Sequence, residues 1–389
     1  MKIHSIELKD VGGIPYLKLE NLNSKMNIIC GENGVGKTNI LDAIAASFSQ
    51  FDKNHVRKRA GSDKAIITIK HDKKGSSDIH VDITDFEPNE SDYFLLNNKN
   101  YEENKHLMLY IKTNRGIDYK KVKAIIADPD STHRMRNNSS GVKNEDIKDW
   151  LLNRVLHSKH YDHLTETQLK NLESAKECFN LLNPEFKFKR LNTSNEIFVD
   201  TPTGEIFLEF LSSGFKSTLF ILLGLIKEID FRFDKNRIAA KDFEGIILID
   251  EIELHLHPEW QGRIINILKE LFPYAQFFIA THSPHVIQSA FAGEVIALER
   301  QNNEIVLREI PNPEYGYQGW TIEEILEDVM GMADLRTKLY KSVKDRFDEA
   351  LQERNRDKAY EAYCELDKML HPNYPLRPVF KLQLDSLGE

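Results

Sequence analysis

Apolar residues change their spacing several times along the chain, and each change predicts a new element. In residues 2 to 30 the segments KIHSIELKDV, YLKLE and KMNIIC read as strands, broken by Gly12-Gly13 and Pro15. From Ile40 the spacing becomes three and four, putting Ile40, Leu41, Ile44, Ala45 and Phe48 on one helical face. Residues 64 to 84 return to alternation around the polar turn HDKKGSS, predicting a hairpin. From about 85 to 205 the chain turns polar, with helical spacing in EDIKDWLLNRVLHS and TETQLKNLESAKECFNLL. This block shows no internal period and reads as an inserted lid.

A second hairpin is predicted over EIFVD-TPTG-EIFLEF, residues 196 to 210. The helix STLFILLGLIKEI follows, then the strand GIILID, the helix PEWQGRIINILKELF and the strand QFFIATH. Short, wholly apolar strands alternating with helices require a sheet covered on both faces, hence a largely parallel one. The expected class is α/β, with four regions: an N-terminal lobe over 1–84, a lid over 85–205, a second lobe over 206–300 and a helical extension over 301–389. The extension carries WTIEEILEDVMGM and a charged helical run, and ends in the proline-containing coil HPNYPLRP. In that run Leu339, Tyr340, Val343, Phe347 and Leu351 keep helical spacing. They serve either to pack on the chain's own head or to dock a partner or another copy.

Composition narrows the class. No apolar run reaches the roughly 20 residues that span a bilayer, so no membrane role is expected. The first residues, MKIHSIELKD, lack the apolar core of a signal peptide. Three scattered cysteines, Cys30, Cys178 and Cys364, suit reduced thiols in a cytoplasmic protein. A formal net charge of −9 argues against a wholly basic nucleic-acid surface. Local basic stretches remain in KNHVRKR, residues 53 to 59, and KFKR, residues 187 to 190.

The strongest chemistry lies between the third strand and the first helix. Gly31-Glu32-Asn33-Gly34-Val35-Gly36-Lys37-Thr38 matches G-x-x-x-x-G-K-[ST] in full and has the strand–turn–helix context that motif needs. Glycines let the backbone turn several N–H groups to one point, and the helix N-terminus adds partial positive charge. Lys37 can reach the outer phosphates and the Thr38 hydroxyl can ligate Mg²⁺, so ATP is the expected ligand. GIILIDE, residues 245 to 251, ends an apolar strand in two carboxylates. Asp250 suits Mg²⁺; Glu251 suits orienting and polarising an attacking water. His255, His257, His282 and His285 could in principle hold a metal, but no acidic or cysteine partner has ligand spacing.

Three further segments make a resemblance specific. LSSGFKS at 211 to 217, ELHLHP at 253 to 258 and THSPHVI at 281 to 287 resemble, with the phosphate loop and the acids, the RecF/SMC/OLD-like branch of ABC-type ATPases. Within it the set is similar to the ATPase subunits of bacterial anti-phage systems, Septu-type or retron-associated. The resemblance covers residues 1 to 50 and about 205 to 300. It implies an ABC-ATPase head with a mixed β lobe, a parallel P-loop sheet, an inserted helical lid and a helical C-terminal tail. It also implies nucleotide bound by Gly31, Asn33, Gly34, Gly36, Lys37, Thr38 and Asn39, with Mg²⁺ on Thr38 and Asp250. Glu251, His282 and Lys37 would be catalytic. Ser212, Ser213 and Gly214 of a second copy would cap the γ-phosphate, making a homodimer or higher oligomer.

This chain departs from that pattern in two places. The signature continues with Phe215 and Lys216, and no glutamine stands at a convincing Q-loop position. Gln50 comes too early and Gln168 falls in the polar block. Arg115, in YIKTNRG after an apolar strand, either occupies that neighbourhood or is a surface arginine. Two functions stay open: a regulatory ATPase that holds or releases a toxic protein partner such as a nuclease, and an ATPase acting directly on DNA. The first is favoured because no nuclease signature is legible after residue 300.

Overall fold

The computed structural model describes residues 1–52, 56–73, 75, 77–84, 86–87, 93–94, 98–116, 119–124, 127–129, 131, 135, 138–143, 145–159, 163–332 and 335–388. The first three residues of KNHVRKR lie outside that set. The chain divides into two compact units, Met1–Gly331 and Met332–Glu389.

In the first unit, β1 (Ile3–Val11), β2 (Ile14–Leu19), β5 (Ala65–His71) and β6 (Ile79–Ile83) form an antiparallel sheet in the order β2-β1-β5-β6. The strands β3 (Met26–Gly31), β8 (Met108–Ile111), β12 (Ile246–Ile249), β13 (Gln276–Ala280), β14 (Val295–Gln301) and β15 (Glu304–Leu307) form the central sheet. Its order is β15-β14-β3-β13-β12-β8, parallel except at the β15 edge. Two short strands, β4 (Phe51–Asp52) and β7 (Tyr93–Phe94), pair separately. The antiparallel strands β9 (Lys187–Leu191), β10 (Ile197–Thr201) and β11 (Gly204–Phe207) form a third sheet.

Alternation along the parallel strands explains their apolar runs. Ile28, Leu109, Ile111, Ile247, Ile249, Phe277 and Ile279 enter one core, with α2 (Ile147–His157), α3 (Glu166–Leu182), α4 (Ser213–Arg232) and α5 (Pro258–Leu271). Ile29, Met108, Tyr110, Ile246, Leu248, Phe278 and Ala280 point the other way, toward α1 (Lys37–Ala46) and the antiparallel sheet. With both faces covered, the strands are mainly apolar, and the buried Asn27 of β3 is accommodated by donating to the carbonyls of Asn23 and Phe277. The molecule's first unit is an α/β head with a mixed, mostly parallel sheet.

Two regional expectations change. Residues expected to form a lid supply the edge strand β8 and the helices α2 and α3, whose Trp150, Leu151, Leu172 and Phe179 are buried in the main core. Polar side chains there are themselves structural: Arg154 and Trp150 both bond Asp230 of α4. The extension expected from 301 instead begins with β15, and the second unit starts at Met332. That unit packs α6 (Lys338–Gln352), α7 (Arg356–Met369) and α8 (Arg377–Asp385) around Val343, Phe347, Ala359, Leu366, Phe380 and Leu384. Val343 and Phe347 are thus core residues of that unit, whereas Leu339 is 63% exposed. The helix α8 starts inside the stretch read as coil, using Pro378 in its first turn.

Candidate functional site

The phosphate loop follows from backbone need. Gly31, Gly34 and Gly36 all have positive φ, at 138°, 76° and 95°. A side chain at Gly36 would also press on Ile14 of the β1–β2 hairpin, 2.9 Å away. Left-handed Gly36 begins α1 without any side-chain cap. Its first N–H groups are therefore left for a ligand, at the positive end of the helix. Lys37, 6% exposed, donates from Nζ to the carbonyls of Gly31 and Glu32, both at 2.9 Å. Burial pushes its pKa down, partly offset by Cys30, Glu253, Asp250 and Glu251. Asn33 and Gly34 lie exposed at the loop's apex, and Arg300 of β14 donates to the Gly34 carbonyl at 3.0 Å. Asn39 rests against Gly12 in the β1–β2 turn.

The second half arrives on β12. The Thr38 hydroxyl donates to Asp250 at 3.2 Å from Oδ1 and 3.1 Å from Oδ2, across 212 positions of sequence. Asp250 is 5% exposed. Burial pushes its carboxyl up to about 6; Thr38 and Arg115 lower it, while Asp42 and Glu251 raise it. A buried carboxylate that is costly to ionise, beside a hydroxyl, is a hard-oxygen pair suited to a small divalent cation such as Mg²⁺. Glu251 follows at φ 44°, in the left-handed region uncommon for side-chain-bearing residues. It is half-buried.

Arg115 is a buried arginine, 5% exposed. Its guanidinium donates to the carbonyls of Lys112 (2.9 Å), Ile252 (3.3 Å), Glu251 (3.0 Å) and Asp250. Burial brings its pKa down to about 10 against the pull of the surrounding acids.

Beyond β13, Glu253 organises the next segment. It accepts from the Thr281 hydroxyl at 2.7 Å and the His282 backbone N–H at 2.5 Å. Burial first, and Lys37 second, push the half-buried His282 ring below its ordinary pKa, favouring the neutral form. His257 caps α5 by accepting the Glu259 N–H at its Nδ1.

At the signature, Ser212 caps α4 by accepting the Phe215 N–H at 3.3 Å. Ser213 is exposed. A Cβ on Gly214 would stand 2.6 Å from the His255 carbonyl oxygen, so glycine lets α4 start hard against the segment after the acids. Phe215 turns inward, stacked on Phe186 at 4.7 Å and edge-on to Trp260 at 5.5 Å. Lys216 donates to the Glu209 carbonyl at 2.9 Å. Phe215 and Lys216, where the signature departs from the pattern, therefore serve this chain's own packing.

Lys37, Thr38, Asp250, Glu251 and His282, the residues singled out in the sequence, lie past the carboxyl ends of β3, β12 and β13. Glu253 carries no role legible in ELHLHP alone, and Arg115 fits two readings from its sequence position. Position was the available signal for both: Glu253 stands two residues past the acids and Arg115 four past β8. Gln168 closes the capping box of α3 with Thr165. In KFKR, Lys189 pairs with Asp200 and Arg190 with Glu205.

Comparisons with known proteins show the family and the fold. Residues 26–288 match the family described as "AAA domain, putative AbiEii toxin, Type IV TA system". The chain is 38% identical to the Septu protein PtuA of Bacillus thuringiensis, over 99% of this chain and 98% of that one. It is 25% identical to a Septu protein PtuA of Bacillus mycoides over 83% of this chain, which spans only 44% of that longer protein. It is also 33% identical to the retron Ec83 probable ATPase of Escherichia coli, over 30% of this chain and 22% of that one. Among solved structures, an Smc head bound to the C-winged helix domain of ScpA superposes with a TM-score of 0.51 at 17% identity, over 79% of this chain and 98% of that one. That likeness concerns the fold alone.

Proposed function

The chain belongs to the family of the Septu protein PtuA, and on that premise we propose that it hydrolyses ATP between two copies of itself. By this cycle it would control a protein effector, a nuclease, in bacterial anti-phage defence. The observation that carries the ATPase reading is the meeting of Thr38 and Asp250 beneath a phosphate loop whose helix is uncapped.

In this reading the loop's N–H groups and Lys37 hold the β- and γ-phosphates. Mg²⁺ on Thr38 and Asp250 would neutralise charge on their oxygens. Glu251 orients a water and takes its proton as the water attacks the γ-phosphorus. The bond from that phosphorus to the β–γ bridging oxygen breaks, leaving ADP and inorganic phosphate. His282, held neutral and tied through its backbone to Glu253, senses the γ-phosphate. Ser213 and the start of α4 from a second copy cap it. Support for the second copy is that Ser213 faces outward rather than into its own core.

Direct action on DNA is the alternative. The pairing of Lys189 with Asp200 and Arg190 with Glu205 offsets charge in one of its two basic stretches. The test is turnover of wild type and Glu251→Gln, with nucleotide binding measured alongside. Binding should persist while turnover falls roughly 10²–10⁴-fold. A variant that hydrolyses at the normal rate contradicts the assignment, and wild-type turnover rising steeply with duplex DNA would favour the alternative. Co-expression with a nuclease encoded nearby tests the effector: ATP-dependent association is expected.

A further inference from the structure

A charged side chain four residues past an apolar edge strand would ordinarily sit in water. Arg115 does not. Its planar fork lies under the turn that follows β12 and donates to the carbonyls of Asp250, Glu251 and Ile252, with Nε anchored on Lys112. All four partners are backbone carbonyls. The acidic side chains of Asp250, Glu253 and Glu251 balance the charge from around the site. Burying a cation is costly unless its hydrogen bonds are well satisfied, so the arrangement has to serve geometry.

The geometry it serves is visible in the turn. Three successive carbonyls converge on one point only if the backbone curls sharply, and Glu251 supplies the curl at φ 44°. A residue in that region is strained and persists only where its surroundings hold it there. The curl also sets the direction in which the Glu251 carboxylate leaves the backbone. Asp250, by contrast, has a second hold through Thr38.

We infer that Arg115 is a positioning residue for hydrolysis, aiming the Glu251 carboxylate by gripping the backbone from Asp250 to Ile252. The inference rests on the reading of Glu251 as the group that orients water. Lysine cannot replace the grip: its ammonium is a compact charge that cannot present a planar fork to four carbonyls.

The test uses Arg115→Lys and Arg115→Ala in the full chain, each also combined with Glu251→Gln. Displacement of a catalytic group by about 1 Å costs on the order of 10²-fold, so kcat should fall roughly 10- to 100-fold while KM for ATP moves less than about threefold. In the Glu251→Gln background the same substitutions should add almost nothing, because the group they aim is already disabled. A normal kcat in Arg115→Lys overturns the inference. So does an equal drop in the Glu251→Gln background, or a matched loss of ATP affinity. If Arg115→Ala does not fold, Arg115→Lys decides. A slow Glu251→Gln beside a normal Arg115→Lys removes only the role of Arg115; a normal Glu251→Gln removes both.

Discussion

Two helices of the first unit begin beside the chemistry, and they begin differently. The helix α1 starts at a left-handed glycine with no side chain satisfying its first N–H groups. The helix α4 starts at Ser212, which already bonds the Phe215 N–H, and its next residue, Ser213, faces solvent. A third helix, α3, is closed at both partners of a capping box, Thr165 and Gln168, and carries no chemistry. The difference is that α1 leaves its first N–H groups without a side-chain acceptor, whereas α3 and α4 satisfy theirs within the chain.

Breaking the first start should have the largest effect. Lys37→Ala removes the cation that reaches the outer phosphates, and ATP affinity should fall at least about 10²-fold by fluorescent-nucleotide titration, since charge-assisted bonds are the strong ones. Retained affinity would dissolve the contrast. Breaking the second start should spare binding: Ser213→Arg should slow turnover by roughly 10²-fold, the scale of one lost donor at a developing charge, while each chain still binds ATP.

A third prediction sharpens the difference between binding and stability. The Asp250 carboxyl is pushed up to about 6 from an ordinary 3.8, so the folded protein holds that proton more tightly than the unfolded chain does. Ionisation therefore works against folding: the penalty is absent below pH 3.8 and complete above about 6. Asp250→Asn should stabilise the nucleotide-free protein at pH 7.5 by up to roughly 3 kcal/mol while abolishing Mg²⁺-dependent turnover. Urea unfolding should show that gain shrinking as pH falls toward 4. The smallest effect belongs to Gly214→Ala, whose methyl meets the His255 carbonyl; a loss of about 1–3 kcal/mol in the same assay is expected.

Much of this was legible in the sequence because it depends on local rules. The phosphate loop needs its glycines at fixed spacing, and GIILID is apolar because both of its faces are covered. What the sequence concealed depends on distant packing. The lysine-rich α6 gave its stripe away through Val343 and Phe347, yet nothing local said that α7 and α8 of the same unit would cover it. The polar block looked like a lid because of its polar composition; in the fold two of its charges, Arg154 and Lys148, are buried against Asp230, and against Glu196 and Glu209. Arg115 was hardest to read, since its partners are backbone atoms, which leave no mark in a sequence.

Mixing is the most direct test of a nucleotide shared between copies. Lys37→Ala lacks the cradle but keeps its outward serine, while Ser213→Arg lacks the serine but keeps the cradle. Each should be inactive alone. In an equal mixture half the pairs contain one of each, and one of their two sites is whole, so turnover should return to at most about a quarter of wild type. A mixture as inactive as its components would contradict the account.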